Sequence, residues 1–96
     1  MIKKQYLKSR PVCKVTFAVE AGKGVESVAL VGDFNNWTAT PMEAQKGGRF
    51  KTMLELEQGR DYQFRYLIDE NEWRNEEQAD NYVGNPFNGE NSVVSI

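Results

Sequence analysis

At 96 residues the chain can build one core, and 40% hydrophobic with 27% charged residues is a globular composition. A net charge of -2 argues against the broad basic footprint of a nucleic-acid binder, and the absence of histidine removes His-based triads, His zinc sites and proton shuttles. One cysteine, Cys13, excludes an internal disulfide or a thiolate metal cluster, so no cofactor is expected and a cytoplasmic location is the simplest expectation.

Residues 1–11, "MIKKQYLKSRP", carry Lys3, Lys4, Lys8 and Arg10 and read as a basic, solvated, partly ordered tail. That segment lacks the apolar core of a signal peptide, and no run elsewhere is long and apolar enough to span a membrane. From residue 12 onward period-two alternation takes over. "VCKVTFAV" puts Cys13, Val15, Phe17 and Val19 on one face, so Cys13 reads as a small buried hydrophobe. "SVALVGDF" is nearly continuous in apolar character, as in a strand covered on both faces. "RFKTMLEL" sets Phe50, Thr52, Leu54 and Leu56 against Lys51, Met53 and Glu55. In "RDYQFRYLID", Tyr62, Phe64, Tyr66 and Ile68 share one face, with Gln63, Arg65 and Leu67 on the other. "NSVVSI" makes a last short strand. Turn signals such as "AGKG", "FNNW", "KGGR" and "NPFNGEN" separate these runs, and no segment has convincing helical periodicity. The pattern predicts one domain over residues 12–96, an all-β, immunoglobulin-like antiparallel sandwich of about seven strands.

The two tryptophans stand outside that alternation. Trp37 lies in "FNNWT" and Trp73 in "DENEWRN", both turn-rich. A single such Trp reads equally well as a lid on one end of the core. Two of them among Asn, Gln, Arg and acids favour a binding surface. Aromatic faces stack on the C–H faces of sugar rings, while nearby amides and guanidinium groups bond the hydroxyls. Asn35, Asn36, Gln63, Arg65, Asn88 and Asn91 are groups of that kind.

Three blocks, "VALVGDFNNWTATPM", "ELEQGRDYQFRYLIDENEW" and "NPFNGENSVV", resemble in order the glycogen-binding early-set domains. Those domains occur in AMP-activated protein kinase β subunits and at the N-termini of branching enzymes and isoamylases. The resemblance covers residues 12–96 and implies an early-set sandwich that binds α-1,4-glucan such as glycogen, starch or maltodextrin. By position, Trp37 and Trp73 match the two stacking tryptophans. Arg65 falls where members usually place a lysine, and a planar guanidinium is not a lysine point charge. Asn91 matches the last-loop asparagine that bonds sugar hydroxyls. Phe87 stands near the apolar residue that pushes into the bend of the glucan, with Asn88 and Glu90 in the same loop. The catalytic barrel that follows this domain in branching enzymes and isoamylases is not in this sequence, so binding without catalysis is expected. A separate glycan-metabolising enzyme or regulatory protein is then a conceivable partner.

One enzyme reading, one calcium reading and one rival remain. "DENEWRNEEQAD" supplies Asp69, Glu70, Glu72, Glu76, Glu77 and Asp80, and a glycosidase needs two acids across its bond, but acid-rich hairpins are commonly solvated edges. The same run fails the EF-hand spacing, with Trp73 and Arg74 where a ligand and the turn glycine belong, and so reads as solvated charge. The rival is a protein-interaction domain that keeps the sandwich without the sugar site. Convergence of Trp37, Arg65, Trp73 and Asn91 on one exposed face separates the two readings; a buried Trp favours the rival.

Overall fold

The computed structural model describes residues 1–87 and 89–96. Ten strands succeed one another: β1 (Ile2–Tyr6), β2 (Val12–Glu20), β3 (Val28–Gly32), β4 (Thr40–Pro41), β5 (Glu43–Ala44), β6 (Arg49–Glu57), β7 (Asp61–Ile68), β8 (Glu72–Arg74), β9 (Asn81–Gly84) and β10 (Glu90–Ser95). They form two antiparallel sheets. One has the order β1-β2-β6-β5, and the other β4-β3-β7-β10-β9, with β8 also pairing with β7. Since β10 pairs with Asp61–Phe64 and β8 with Tyr66–Ile68, the two share one edge of β7.

Alternation fixes the faces. β2 and β6 pair over their whole length, setting Cys13 opposite Leu56, Val15 opposite Leu54 and Phe17 opposite Thr52. A slip of one residue would turn all of these outward, so burial of one face specifies the register. Tyr62, Phe64, Tyr66 and Ile68 of β7 meet that face from the second sheet, with Leu30 and Val94 beside them. Phe17 and Phe64 cross edge to face with ring centroids 5.1 Å apart, and Phe34 closes over both. Cys13 is fully buried and free, as its place in the alternation predicts. The additional strands beyond the expected seven or so are mostly two- and three-residue bridges, β4, β5 and β8.

Residues 1–11 depart from the expected tail. Ile2–Tyr6 pairs with Cys13–Phe17, placing Ile2, Lys4 and Tyr6 on the face shared by Phe17, Val15 and Cys13. Ile2 packs on the core, and Lys4 Nζ donates to Asp80 Oδ2 at 2.7 Å and to the Ser95 carbonyl at 2.9 Å. Positive charge on this segment therefore fastens the edge of one sheet to the end of the other. Glu76 is a second departure, a buried acid inside the run that reads as solvated. Its Oε1 accepts from the Met1 α-amino group at 2.6 Å and from the Tyr66 hydroxyl at 2.7 Å, and its Oε2 accepts from the Gln78 N–H at 2.9 Å. Burial needs such partners. Burial first, and then the adjacent Glu76 carboxylate, push the Tyr66 hydroxyl well above the usual phenol range.

Candidate functional site on the outer face of the larger sheet

Because the odd-and-even face rule sends Tyr62, Phe64 and Tyr66 into the core, Gln63 and Arg65 of β7 point to the opposite side. Trp73 of β8 lies across from Leu67, two residues along the same face from Arg65. The hairpin that delivers it turns through Asp69 and Glu70, both at positive φ (48° and 62°), with the Asn71 N–H donating to the Ile68 carbonyl. Three residues, 69–71, thus join Ile68 to its partner Glu72, with left-handed backbone at the first two. Asp69 offsets the strain by accepting the Glu26 and Ser27 N–H groups on Oδ1 at 2.8 and 2.9 Å. The Arg65 guanidinium carbon stands 5.5 Å from the Trp73 ring centroid, a cation–π distance. Its Nε is buried without a hydrogen-bond partner, and Arg65 makes no ion pair among the described residues.

Trp37 comes from the turn after β3. A Cβ on Gly32 would lie 2.6 Å from the Gln63 carbonyl oxygen and 2.7 Å from the Phe64 Cβ, so only glycine lets β3 pass this close. Asp33–Asn35 then makes one 3₁₀ turn. Asn35 locks it: Oδ1 accepts the Gly32 N–H at 3.0 Å, while Nδ2 donates to the Leu30 carbonyl at 2.9 Å and Thr40 Oγ1 at 2.8 Å. Asn36 and Trp37 follow with φ of 56° each, in left-handed backbone that is uncommon for residues other than glycine. The Trp37 N–H closes the turn onto the Gly32 carbonyl at 2.9 Å.

The turn, the hairpin and the last loop enclose a hollow of about 570 Å³, lined by Trp37, Arg65, Trp73, Gln63 and Asn91 together with Asp33, Asn85, Pro86 and Phe87. Trp37 is 40% exposed and Trp73 45%. Phe87 projects from the rim at 88% exposure. Asn91 is almost buried, and its amide is committed to the floor: Nδ2 donates to Gln63 Oε1 at 3.0 Å and Oδ1 accepts from Asn85 Nδ2 at 3.3 Å. Asn85 Oδ1 in turn accepts the N–H groups of Phe87 at 2.9 Å and Gly89 at 3.2 Å, which shapes the Phe87 loop. Asn36 is exposed and does not line the hollow; its work is the left-handed turn. Asn88 lies outside the described residues.

Three lining residues were not picked out from sequence. Pro86 and Asn85 stand in the loop already singled out for Phe87. Asp33 is the informative one, since Oδ1 accepts the Trp37 indole N–H at 2.9 Å and Oδ2 the Gln63 backbone N–H at 2.8 Å. Its position four residues before a tryptophan in a Gly-Asp-Phe-Asn turn was the available signal. Chemically the hollow offers two indole faces, one unpaired guanidinium and a floor of amides. Its one carboxylate among the described lining residues is Asp33, with both oxygens already engaged. The acid pair of a glycosidase is not assembled there. Among the described residues no three His, Cys, Asp or Glu side chains gather to hold a metal.

Comparison with known proteins identifies a family and a relative. Residues 15–96 match the family described as the glycogen recognition site of AMP-activated protein kinase. The chloroplastic phosphoglucan phosphatase LSF1 of Arabidopsis thaliana is 42% identical over 66 residues, covering 67% of this chain and 11% of the phosphatase. The chain thus spans about a tenth of that relative's length. An all-β sandwich matched over most of its length in this way places the chain in the glycogen-recognition domain family of AMP-activated protein kinase.

Proposed function

We propose that the hollow binds α-1,4-glucan without catalysis, with Trp37 and Trp73 as its stacking faces and Arg65 as its main free donor. The observation that carries this reading is the meeting of two half-exposed indoles with an unpaired guanidinium in one hollow. Apolar C–H faces of pyranose rings suit the indoles, and ring hydroxyls suit the guanidinium N–H groups. Phe87 at the rim supplies an apolar edge for a curved chain. Gln63 and Asn91 act chiefly by holding the floor, since their amides bond each other. The match to a glycogen-recognition family supports glucan as the ligand, and the indoles, guanidinium and amides among the described lining residues suit binding.

Stacking contributes roughly 1–3 kcal/mol per aromatic, by analogy with base stacking. Adding hydrogen bonds at about 1 kcal/mol each gives roughly 4–8 kcal/mol. Immobilising a flexible sugar chain offsets part of that, so affinity falls in the micromolar to millimolar range, roughly. Longer glucans bind better because they reach both rings. The test is a two-dimensional NMR titration with maltoheptaose that follows both indole N–H signals. Movement of both signals supports the reading. If neither moves at millimolar sugar, the glucan reading falls and the protein-interaction reading replaces it.

A further inference from the structure

We propose that Asp33 is the positioning residue of this surface, acting on a bound glucan through Trp37 rather than by touching it. The inference rests on the glucan reading for its consequence, but its geometry stands apart from any ligand. Trp37 sits on left-handed backbone at the end of a short turn, where the main chain anchors it by one bond to the Gly32 carbonyl. An exposed indole so placed has two side-chain torsions to settle, and a wandering ring loses affinity in ordering. Asp33 removes that freedom. One carboxylate oxygen takes the indole N–H, and the other takes the Gln63 backbone N–H on β7. The ring is thereby tied to the strand that also carries Arg65, so the turn and the sheet share one frame. Both contacts require acceptors. A carboxylate offers two; an amide offers one acceptor and turns an NH₂ toward the remaining donor.

A double-mutant cycle tests this with wild type, Asp33→Ala, Trp37→Phe and the double variant, each titrated with maltoheptaose. Trp37→Phe keeps a stacking ring and deletes the indole N–H. Asp33→Ala should bind roughly tenfold more weakly than wild type, the scale of one lost hydrogen bond to a charged group. In the Trp37→Phe background the same change should cost threefold or less, roughly, because the contact it acts through is gone. Hydrogen exchange of the Trp37 indole N–H, measured without sugar, should speed up in Asp33→Ala while that of Trp73 does not. Equal losses in both backgrounds, or an unchanged Trp37 exchange rate, overturn the proposal. If Asp33→Ala does not fold, Asp33→Asn takes its place in the same cycle with the same criteria. Failure of wild type to bind maltoheptaose sinks the glucan reading alone, since indole exchange still decides whether Asp33 holds the ring.

Discussion

The guanidinium of Arg65 lies over the Trp73 ring, its carbon 5.5 Å from the centroid, while its buried Nε has no acceptor. Most buried polar atoms in folded proteins find a partner, and leaving one orphaned costs about 1–3 kcal/mol. On the glucan reading proposed above, a sugar hydroxyl arriving over the indole meets the N–H groups of this guanidinium. On that reading the labour is split between the two residues: Trp73 provides the face and Arg65 the donor.

From it follows a ranking of variants. Trp37→Ala and Trp73→Ala should each abolish binding detectable by calorimetry with maltoheptaose. Both rings stand outside the core, so the thermal midpoint should move by only a few degrees. Arg65→Ala should weaken binding about three- to tenfold, less than either tryptophan loss, since one hydrogen bond to the sugar is worth about 1 kcal/mol. An Arg65→Ala variant that binds as weakly as Trp37→Ala would contradict the division.

Glu76 carries a prediction about stability instead. Its carboxylate is 3% exposed and bonds an ammonium, a phenol and a backbone N–H from three separate parts of the chain. Glu76→Ala strands the buried Tyr66 hydroxyl and leaves a void, and should cost about 2–4 kcal/mol in urea unfolding. Tyr66→Phe keeps the carboxylate's other two donors and should cost about 1–2 kcal/mol. Neither change touches the hollow, so glucan affinity of the folded fraction should stay within a factor of about two, as expected for sites that share no partner. Glu76→Ala as stable as wild type would show that the buried carboxylate contributes nothing.

Asp80 gives the pH dependence. Burial alone would raise its carboxyl, but hydrogen bonds from Lys4 Nζ and the Ser95 N–H, with the charge of Lys4, outweigh that and hold it below the usual carboxylate range. A carboxyl lowered on folding stabilises above its unfolded value and loses that contribution as pH falls through the lowered native value. Asp80→Asn should therefore lower the urea midpoint near neutral pH, while the difference from wild type shrinks on acidification below about pH 4. A constant difference down to about pH 2 would remove Asp80 from the acid response. The pair is partly exposed, so added salt should also narrow the gap.

Much of this molecule could be read before folding it. The alternation in β2, β6 and β7 named the buried face residue by residue, because one covered face imposes a two-residue period on long strands. The bridges β4 and β5 are two residues long and carry no period at all. β1 was obscured by its lysines: Lys3 and Lys4 look solvated until Asp80, far along the chain, is brought to Lys4. Glu76 was hidden in a run of acids for the same reason, its partners being distant in sequence. At the hollow, side-chain type singled out the two tryptophans and Arg65 as residues of one surface, and the family resemblance added Phe87. It did not show that Asn91 would spend its amide on Gln63, or that Asp33 would hold Trp37, because both depend on which backbone groups the turns bring within 3 Å or so of each other.

Gly32 is where fold and site meet, and it yields the sharpest prediction of the series. Its backbone is extended, so conformational freedom is not the reason for glycine here; space is. An alanine Cβ would stand 2.6 Å from the Gln63 carbonyl oxygen and 2.7 Å from the Phe64 Cβ, both on the neighbouring strand. Neither neighbour is the end of a flexible side chain, so β3 must move away from β7. Gly32→Ala should therefore cost about 1–3 kcal/mol, the range for overpacking a tight core. The displacement falls at the turn that bears Asp33 and Trp37, so it should also shift the Trp37 indole signal and weaken maltoheptaose binding. Gly84→Ala is the control. Nothing lies within 4 Å of a Cβ there, on an edge strand, and it should be neutral or stabilising by up to about 1 kcal/mol. Urea unfolding and indole spectra of the two variants check the contrast. If Gly32→Ala matches Gly84→Ala in both, close approach of β3 to β7 does not set the Trp37 turn.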